Sequence, residues 1–354
     1  MSSLDKEYLL SLATIDPELK AFLDNAQLPP PPSYDDLDAF KKMSALRSIE
    51  TLKALGDPPP EIRQSELQYP TRDGSKVRAK LYQPSNPGSD LHRPLIVMFH
   101  GGGFCIGTPE SEEQSCRNFV QAFGAVCISA TYRLAPEFPF PYAVNDAWDA
   151  MRWAAEKATS WGADPSAGFV VGGTSAGGNL SAIMAHLARD EGLSPPLTGQ
   201  YLAIPTVLPP AVVPEKYKEY YLSYEQNRHS PVLPVAAMDM FLSGYKPQDN
   251  DGVQWAVFNH PNGHRGLPPA LFQIDGMDPL RDEALIYERV LRDECGVKTR
   301  SYVYPGMPHG HWAFFPFLKS SDKFRVEQIE GMGWLLGKKP DFSTVVTNAK
   351  PASA

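Results

Sequence analysis

The stretch FVVGGTSAGGNL, residues 169–180, places a single serine among glycines and other small residues directly after an apolar run. The apolar FVVGG predicts a buried strand, and residues 179–188, NLSAIMAHLA, predict a helix that follows it at once. A turn this short between strand and helix pushes its central residue, Ser175, into a strained backbone conformation with the side chain pointing outward. Small neighbours are required because the helix then packs closely on the strand.

The pattern Gly173-x-Ser175-x-Gly177 has the spacing of a nucleophile elbow, and it occurs in the strand–turn–helix context that this motif needs. A serine at a helix N-terminus also benefits from the positive end of the helix dipole, which favours a developing anion. Taken alone, the pattern is also compatible with a glycine-rich phosphate-binding turn or a plain tight turn. No lysine follows as in a Walker loop, which disfavours nucleotide binding.

The rest of the chain alternates between strand-like and helix-like segments, which predicts an α/β fold with a mostly parallel sheet. Two short alternating runs around residues 72–75 predict a hairpin. Apolar runs predict further strands at residues 94–100, 125–132, 199–206, 270–275 and 300–305. Amphipathic patterns predict helices at residues 143–158, 179–192 and 282–296.

Proline-rich stretches and a break in the strand–helix rhythm suggest four segments. Residues 1–64 form an N-terminal segment of helices joined by stiff proline clusters, and residues 65–340 form the main domain. Residues 207–260 interrupt the alternation of strands and helices, as expected of an insertion over one end of the sheet. Residues 341–354 form a C-terminal tail.

Composition and charge restrict the kinds of binding partner and the cellular location that we expect for this protein. The net charge of -8 disfavours nucleic acid and anionic membranes, which both require a basic face. The four cysteines have no metal-binding spacing, so free thiols and no metal site are expected. The N-terminus lacks a secretory signal, and no run approaches the ~20 apolar residues of a membrane span. We therefore predict a cytoplasmic protein without a membrane span.

The sequence His100-Gly101-Gly102-Gly103-Phe104 directly follows a predicted strand. Successive glycines let backbone N–H groups approach a ligand closely. Acyl transfer builds negative charge on a carbonyl oxygen, and donors already aimed at that oxygen stabilise it. We predict an oxyanion hole made by the N–H groups of Gly102, Gly103 and Ala176. His100 is expected to anchor the loop rather than transfer protons.

A serine hydroxyl becomes a good nucleophile when an imidazole takes its proton and a carboxylate orients that imidazole. Two predicted strands after the insertion end just before Asp278 and His309, and the order Ser175, Asp278, His309 is the one expected for this fold. Asp275 competes with Asp278 for the role of acid, and His311 competes with His309 for the role of base. We favour Asp278 and His309.

Five motifs together resemble the hormone-sensitive-lipase-type branch of the α/β-hydrolases, with a match from roughly residue 65 to 336: HGGGF (100–104), YRLAPE (132–137), GTSAGGNL (173–180), DPLRDE (278–283) and PGMPHG (305–310). The resemblance implies an eight-stranded sheet under a helical cap built from the N-terminal segment and the insertion. It also implies hydrolysis of short- to medium-chain carboxylic esters without a cofactor. Members that pair through the last strand suggest a homodimer.

Two positions depart from the family pattern. Thr174 stands where the family usually has an aspartate that supports the elbow, so the loop must be anchored differently here. His311 stands where the family often has phenylalanine, and we expect it to line the substrate pocket together with Phe104 and Trp312. The motifs leave open acyl transfer, amide or lactone hydrolysis by the same triad, and a non-catalytic receptor for small molecules. The retention of His309 argues against the receptor.

Overall fold

The computed structural model describes residues 5–26, 33–86, 92–247, 255–343 and 345. Its eight described strands form one sheet in the order β1-β2-β4-β3-β5-β6-β7-β8. In chain order the strands span Ile62–Pro70, Lys76–Pro84, Leu95–Phe99, Val126–Ala130, Phe169–Thr174, Gly199–Ala203, Ala270–Asp275 and Thr299–Tyr304. The proline cluster at residues 29–32 and nearly all of the predicted C-terminal tail lie outside the described residues.

The sheet combines an antiparallel hairpin with a parallel core. β1 pairs with β2, and β2 with β4, in antiparallel fashion, which confirms the predicted hairpin around residues 72–75. The pairs from β4 through β3, β5, β6 and β7 to β8 are all parallel. The predicted mostly parallel α/β fold is therefore confirmed. All residues of β3, β4, β6 and β7 are buried, which explains why these strands are apolar on both faces.

Helices cover both faces of the sheet. In chain order, α1 to α11 span Lys6–Ser11, Pro17–Asn25, Leu37–Leu55, Glu113–Phe123, Tyr142–Lys157, Ala176–Asp190, Ser223–Gln226, Val235–Tyr245, Arg281–Arg289, His311–Phe314 and Lys319–Leu336. A π-helical turn, Val290–Glu294, extends α9. Short 3₁₀ turns span Pro109–Glu112, Ala158–Trp161, Pro165–Ala167, Pro210–Val212, Glu215–Tyr220 and Val257–Asn259. The helices predicted at 143–158, 179–192 and 282–296 are confirmed.

Alternate residues of β3 pack into two separate hydrophobic cores. Val97 and Phe99 of β3 belong to the core beneath α5 and α6, whereas Ile96 and Met98 belong to the core beneath α4 and α11. This alternation follows from the two-residue period of a strand. The sheet is therefore buried on both sides, and its accessible functional edge is the one where the parallel strands end.

The N-terminal segment and the insertion meet near that edge. Asp16 caps α2 by accepting hydrogen bonds from the N–H groups of Glu18 and Leu19 at 2.8 and 3.1 Å. Phe40 of α3 packs edge-on against Phe241 of α8, with ring centroids 5.5 Å apart. Within the described residues, no helix combines the length and the apolar character needed to cross a membrane.

Candidate active site

Ser175 lies in the turn between β5 and α6 with φ +57° and ψ −113°, a conformation that non-glycine residues rarely adopt. Its N–H donates to the Ala203 carbonyl at 2.8 Å, and its own carbonyl accepts from the Asn179 N–H at 2.9 Å. The neighbouring strand β6 and the first turn of α6 thus hold the backbone in place. The strained turn predicted from the sequence is present, and the serine side chain is half-buried.

The structure brings Ser175, His309 and Asp278 into one hydrogen-bonded chain. His309 Nε2 lies 3.0 Å from Ser175 Oγ, and His309 Nδ1 lies 2.6 Å from Asp278 Oδ2. The second carboxylate oxygen of Asp278 accepts the Leu280 N–H at 2.9 Å, and only 1% of this aspartate is exposed. A carboxylate on Nδ1 favours the tautomer in which Nε2 is free to accept the serine proton.

Strand ends and the insertion together position the acid. Ser175, Asp278 and His309 follow β5, β7 and β8, whose carboxyl ends meet at one edge of the sheet. The loop that carries Asp278 is also held from the insertion, since Asn227 Nδ2 donates to the Asp278 carbonyl at 2.9 Å and Ser223 Oγ donates to the Pro279 carbonyl at 2.7 Å. These polar contacts have no sequence motif and were not predicted.

The competing residues Asp275 and His311 pair with each other. His311 Nδ1 lies 2.8 Å from Asp275 Oδ1, and the Gly310 N–H donates to Asp275 Oδ2 at 2.9 Å. The expectation that His311 lines the substrate pocket is wrong, because its side chain is fully buried between this carboxylate and aromatic rings. Asp275 does not contact the serine.

Phe104 also differs from its expected role in the substrate pocket. It is 2% exposed, and its ring stacks on Tyr245 of α8 with centroids 3.9 Å apart and meets Trp255 edge-on. Phe104 therefore anchors the insertion to the glycine loop. Trp312 stacks on Phe324 of α11 with centroids 3.6 Å apart and is half-buried, so its contact with substrate stays a prediction.

The glycine loop runs beside the serine. A Cβ placed on Gly101 would lie 3.4 Å from the Ser175 Cβ, and Gly102 and Gly103 have φ angles of +111° and +56°. These angles suit glycine and turn the loop sharply. Within the described parts of the chain, the N–H groups of Gly102, Gly103 and Ala176 donate to no protein acceptor. They are therefore available to an acceptor in the site, as the predicted oxyanion hole requires.

His100 holds this loop, in agreement with the anchoring role expected for it. Its ring nitrogens lie 2.7 Å from the Gly101 carbonyl and 2.7 Å from Thr131 Oγ1. The ring stacks on Tyr132, whose hydroxyl donates to the His100 carbonyl at 2.9 Å. Complete burial lowers the pKa of His100 to about 4, so the ring is neutral near pH 7.

Two buried carboxyls that the sequence analysis missed support the site. Burial raises the pKa of Glu112 to about 7, while the nearby hydroxyls of Thr174 and Ser115 oppose that rise. It meets the elbow at the position where the family usually has aspartate. Glu283 accepts the N–H groups of Val207 and Leu208 at the start of the insertion, and burial raises its pKa to about 8. No local motif marks either pairing.

The four cysteines are free thiols, as predicted: Cys105, Cys116, Cys127 and Cys295. Among the described side chains, no group of three or more His, Cys, Asp or Glu residues is arranged so that it could hold a metal ion.

Comparisons with known proteins agree with this geometry. The sequence profile of a family described as the α/β-hydrolase fold matches residues 96–313. An AB hydrolase superfamily protein of Schizosaccharomyces pombe is 36% identical over 92% of this chain and 96% of its own length. Carboxylesterase NlhH of Mycobacterium tuberculosis is 34% identical over 85% of this chain and 89% of its own length.

A solved structure, that of a vibralactone cyclase, superposes with a TM-score of 0.85 at 33% identity and covers 92% of this chain and 96% of its own. The matched family spans the glycine loop, the elbow and both loops after β7 and β8. These similarities show a carboxylic ester hydrolase. The chain belongs to the hormone-sensitive-lipase-like branch of the α/β-hydrolase esterases.

Proposed function

We propose that this protein hydrolyses short- to medium-chain carboxylic esters through an acyl-enzyme, with Ser175 as nucleophile, His309 as base and Asp278 as the orienting carboxylate. The observation that carries the proposal is the hydrogen-bonded chain of 3.0 Å and 2.6 Å that joins the three side chains. Both distances lie within the range required for proton transfer from a serine to an imidazole.

In the first half of the reaction, Ser175 Oγ forms a bond to the ester carbonyl carbon while its proton moves to His309 Nε2. The carbonyl oxygen becomes an oxyanion that accepts hydrogen bonds from the N–H groups of Gly102, Gly103 and Ala176. Asp278 stabilises the resulting imidazolium. Collapse breaks the bond to the alcohol oxygen, which leaves with the proton from His309.

In the second half, His309 takes a proton from water, whose oxygen attacks the acyl carbon. The oxyanion forms again in the same place, and collapse returns the proton to Ser175 Oγ and releases the acid. Each step conserves protons between the serine, the imidazole and the two substrates. No cofactor is needed for this chemistry.

We also propose that residues 1–64 and the insertion at 207–260 form a cap over the catalytic domain, residues 65–340. Support comes from α8, whose Phe241 ring lies so close to the glycine loop that a Cβ on Gly103 would be 2.4 Å from it. The cap therefore adjoins the oxyanion donors, where the acyl group would be bound. The turnover of esters with acyl chains of increasing length should report the size of the space beneath the cap.

The decisive experiment compares the wild type with Ser175→Ala on p-nitrophenyl esters of increasing acyl length, together with a fluorophosphonate that labels active serines. We expect turnover of acetate and butyrate esters, one label at Ser175, and loss of both in the variant with an unchanged fold. An unlabelled, folded wild type without turnover on any chain length would favour a small-molecule receptor.

A second candidate is acyl transfer within or between substrates, including lactone chemistry by the same triad. The observation that favours it is the superposition with the vibralactone cyclase at a TM-score of 0.85. The two candidates differ in what releases the acyl group, water or an alcohol. Measuring the ratio of acid to ester product with and without added alcohol separates them, since a hydrolase yields mainly acid.

A further inference from the structure

A second aspartate–histidine pair lies beside the predicted catalytic pair, at the end of β7 and the start of α10. Asp275 precedes Asp278 at the end of β7, and His311 follows His309 after β8. Both carboxylates use one oxygen for a histidine Nδ1 and the other for a backbone N–H. The distances are 2.6 and 2.9 Å for Asp278, and 2.8 and 2.9 Å for Asp275. The second pair is thus as completely hydrogen-bonded as the first.

Aromatic side chains isolate this second pair from water. Asp275 and His311 are both 0% exposed. The ring centroids of Tyr304, Trp312 and Phe324 lie 5.2, 5.6 and 5.7 Å from the His311 ring. A charged carboxylate in such surroundings needs its hydrogen-bond donors, because burial without them is costly.

Asp275 acts directly on the backbone next to His309. The N–H that donates to its Oδ2 belongs to Gly310, the residue after His309, and Gly310 has φ +68°. The His311 N–H closes the same turn by donating to the Pro308 carbonyl at 3.0 Å. The turn that carries His309 is therefore fastened to the end of β7 by one carboxylate.

Several titratable or charged groups surround the pair. Asp278 and His309 act on it from the adjoining loops, and burial raises the pKa of Asp275 while the His311 side chain opposes that rise. Further groups are two buried phenols from β6 and β8 and a guanidinium whose Nη1 donates to the Gly276 carbonyl: Tyr201, Tyr304 and Arg281. The phenols are neutral near pH 7. On α11, Lys323 and Glu327 face Tyr304, and Ser320 Oγ lies 3.4 Å from His311 Nε2.

We propose that Asp275 and His311 form a positioning pair for the predicted base. Asp275 fastens the turn that aims His309, and His311 supplies the donor that compensates the Asp275 carboxylate beside Asp278. This inference rests on the proposed function, since it assigns the pair a task in the reaction of Ser175. Neither residue contacts Ser175, so both are positioning residues.

The first test is His311→Phe, which keeps a ring among the aromatic neighbours and removes the donor. With the donor gone, the buried Asp275 carboxyl takes up a proton and no longer stabilises the imidazolium form of His309. We expect kcat on p-nitrophenyl butyrate to fall about 10-fold with KM changed less than about 2-fold, and the acidic limb of kcat/KM against pH to move downward by about half a unit or more.

The second test is Asp275→Asn, which removes the charge and keeps an oxygen that can accept from Gly310. The acidic limb is expected to move downward as in the first variant, and the double variant should move it no further, because both changes remove the same negative charge. His311→Gln, which retains an N–H donor, should restore most of the activity and the wild-type limb. Equal, non-additive shifts of the limb are not expected from a general loss of packing.

His186→Phe is the matched control, because it replaces another fully buried histidine, which is hydrogen-bonded to the Ala182 carbonyl and to His264 instead. It should lower the melting temperature without moving the acidic limb. An unchanged profile in both His311→Phe and Asp275→Asn, or an equal shift in the control, would overturn the proposal. If Ser175→Ala keeps wild-type activity, the proposed function itself has failed, whereas an inactive Ser175→Ala with normal pair variants rejects the pair alone.

Discussion

Gly177 approaches Phe99 so closely that a Cβ on residue 177 would lie 1.9 Å from the Phe99 carbonyl oxygen. A Cβ on Gly173 would likewise lie 2.4 Å from the Gly177 carbonyl oxygen. The end of β3, the end of β5 and the start of α6 thus meet backbone to backbone around Ser175. The small residues beside the serine exist because of this close approach, which holds the elbow rigidly.

Gly177→Ala should therefore destabilise the protein strongly. Residue 177 does not need a left-handed conformation, so the whole effect is the clash of Cβ with backbone that cannot retreat. We expect a loss of about 3 kcal/mol or more in the free energy of unfolding, measured by urea denaturation. Gly296→Ala is the control, since that glycine has φ +69° and open space around it. It should cost only about 1 kcal/mol, and equal losses in the two variants would contradict the steric explanation.

Gly103→Ala should displace the oxyanion loop by collision with the cap. The added Cβ would lie 2.4 Å from the Phe241 ring, so either α8 or the predicted donor at residue 103 must move. We expect kcat on p-nitrophenyl butyrate to fall about 10²–10³-fold, the usual effect of a lost oxyanion donor. Phe241→Ala in the same chain should recover part of that loss. No recovery would mean that backbone strain at φ +56°, and not the collision, is responsible.

Thr174→Asp, which restores the usual family residue, should destabilise this protein more at alkaline than at acidic pH. Glu112, which lies close to Thr174, would then face a second carboxyl, and two neighbouring carboxylates repel each other once both ionise. The added loss in the free energy of unfolding should grow as the pH rises above about 7, where Glu112 ionises in the wild type. Glu112→Gln in the same chain should abolish that growth, and a loss that does not depend on pH would refute the interpretation.

Glu283→Gln should make stability less sensitive to pH. The folded protein keeps a proton on Glu283 up to about pH 8, whereas the unfolded chain releases it near the ordinary value of 4.5. The free energy of unfolding therefore falls as pH rises through this window, by up to about 1.4 kcal/mol per unit from this group. The amide cannot ionise, so urea denaturation at about pH 5.5 and about pH 7.5 should give a smaller difference for the variant than for the wild type. Equal differences would show that Glu283 is ionised in the fold.

Local spacing was enough to predict the framework of the site. The strand–turn–helix around Ser175, the glycine loop after β3 and the hairpin around residues 72–75 are each encoded within a few consecutive residues. Asp278 and His309 could be selected because parallel strands end at one edge of a sheet, so residues just after β7 and β8 meet there. In the structure, His309 lies 3.0 Å from Ser175 Oγ and 2.6 Å from Asp278 Oδ2.

Side chains whose partners are distant along the chain were predicted less well. Phe104 and His311 flank motif residues and so suggested pocket residues, yet their neighbours Tyr245 and Asp275 bury them. Nothing in the order of residues joins Glu112 to Thr174. Such pairings depend on which surfaces the helices and the insertion cover, and hydrophobic periodicity shows that a face is buried without showing what covers it.

The amino-acid order alone was sufficient for the fold class, because strands and helices follow from short-range patterns, and its motifs were sufficient for the resemblance to the esterase family. It also led to the proposed nucleophile, acid and base, because residues that follow parallel strands meet at one edge of the sheet. Folding in three dimensions settled the polar contacts behind them: Asp275 with His311 and Gly310, Glu112 near Thr174, and Asn227 with Asp278. Those contacts arise from the need of each buried polar group for a partner, and the available partner is the one that packing brings near.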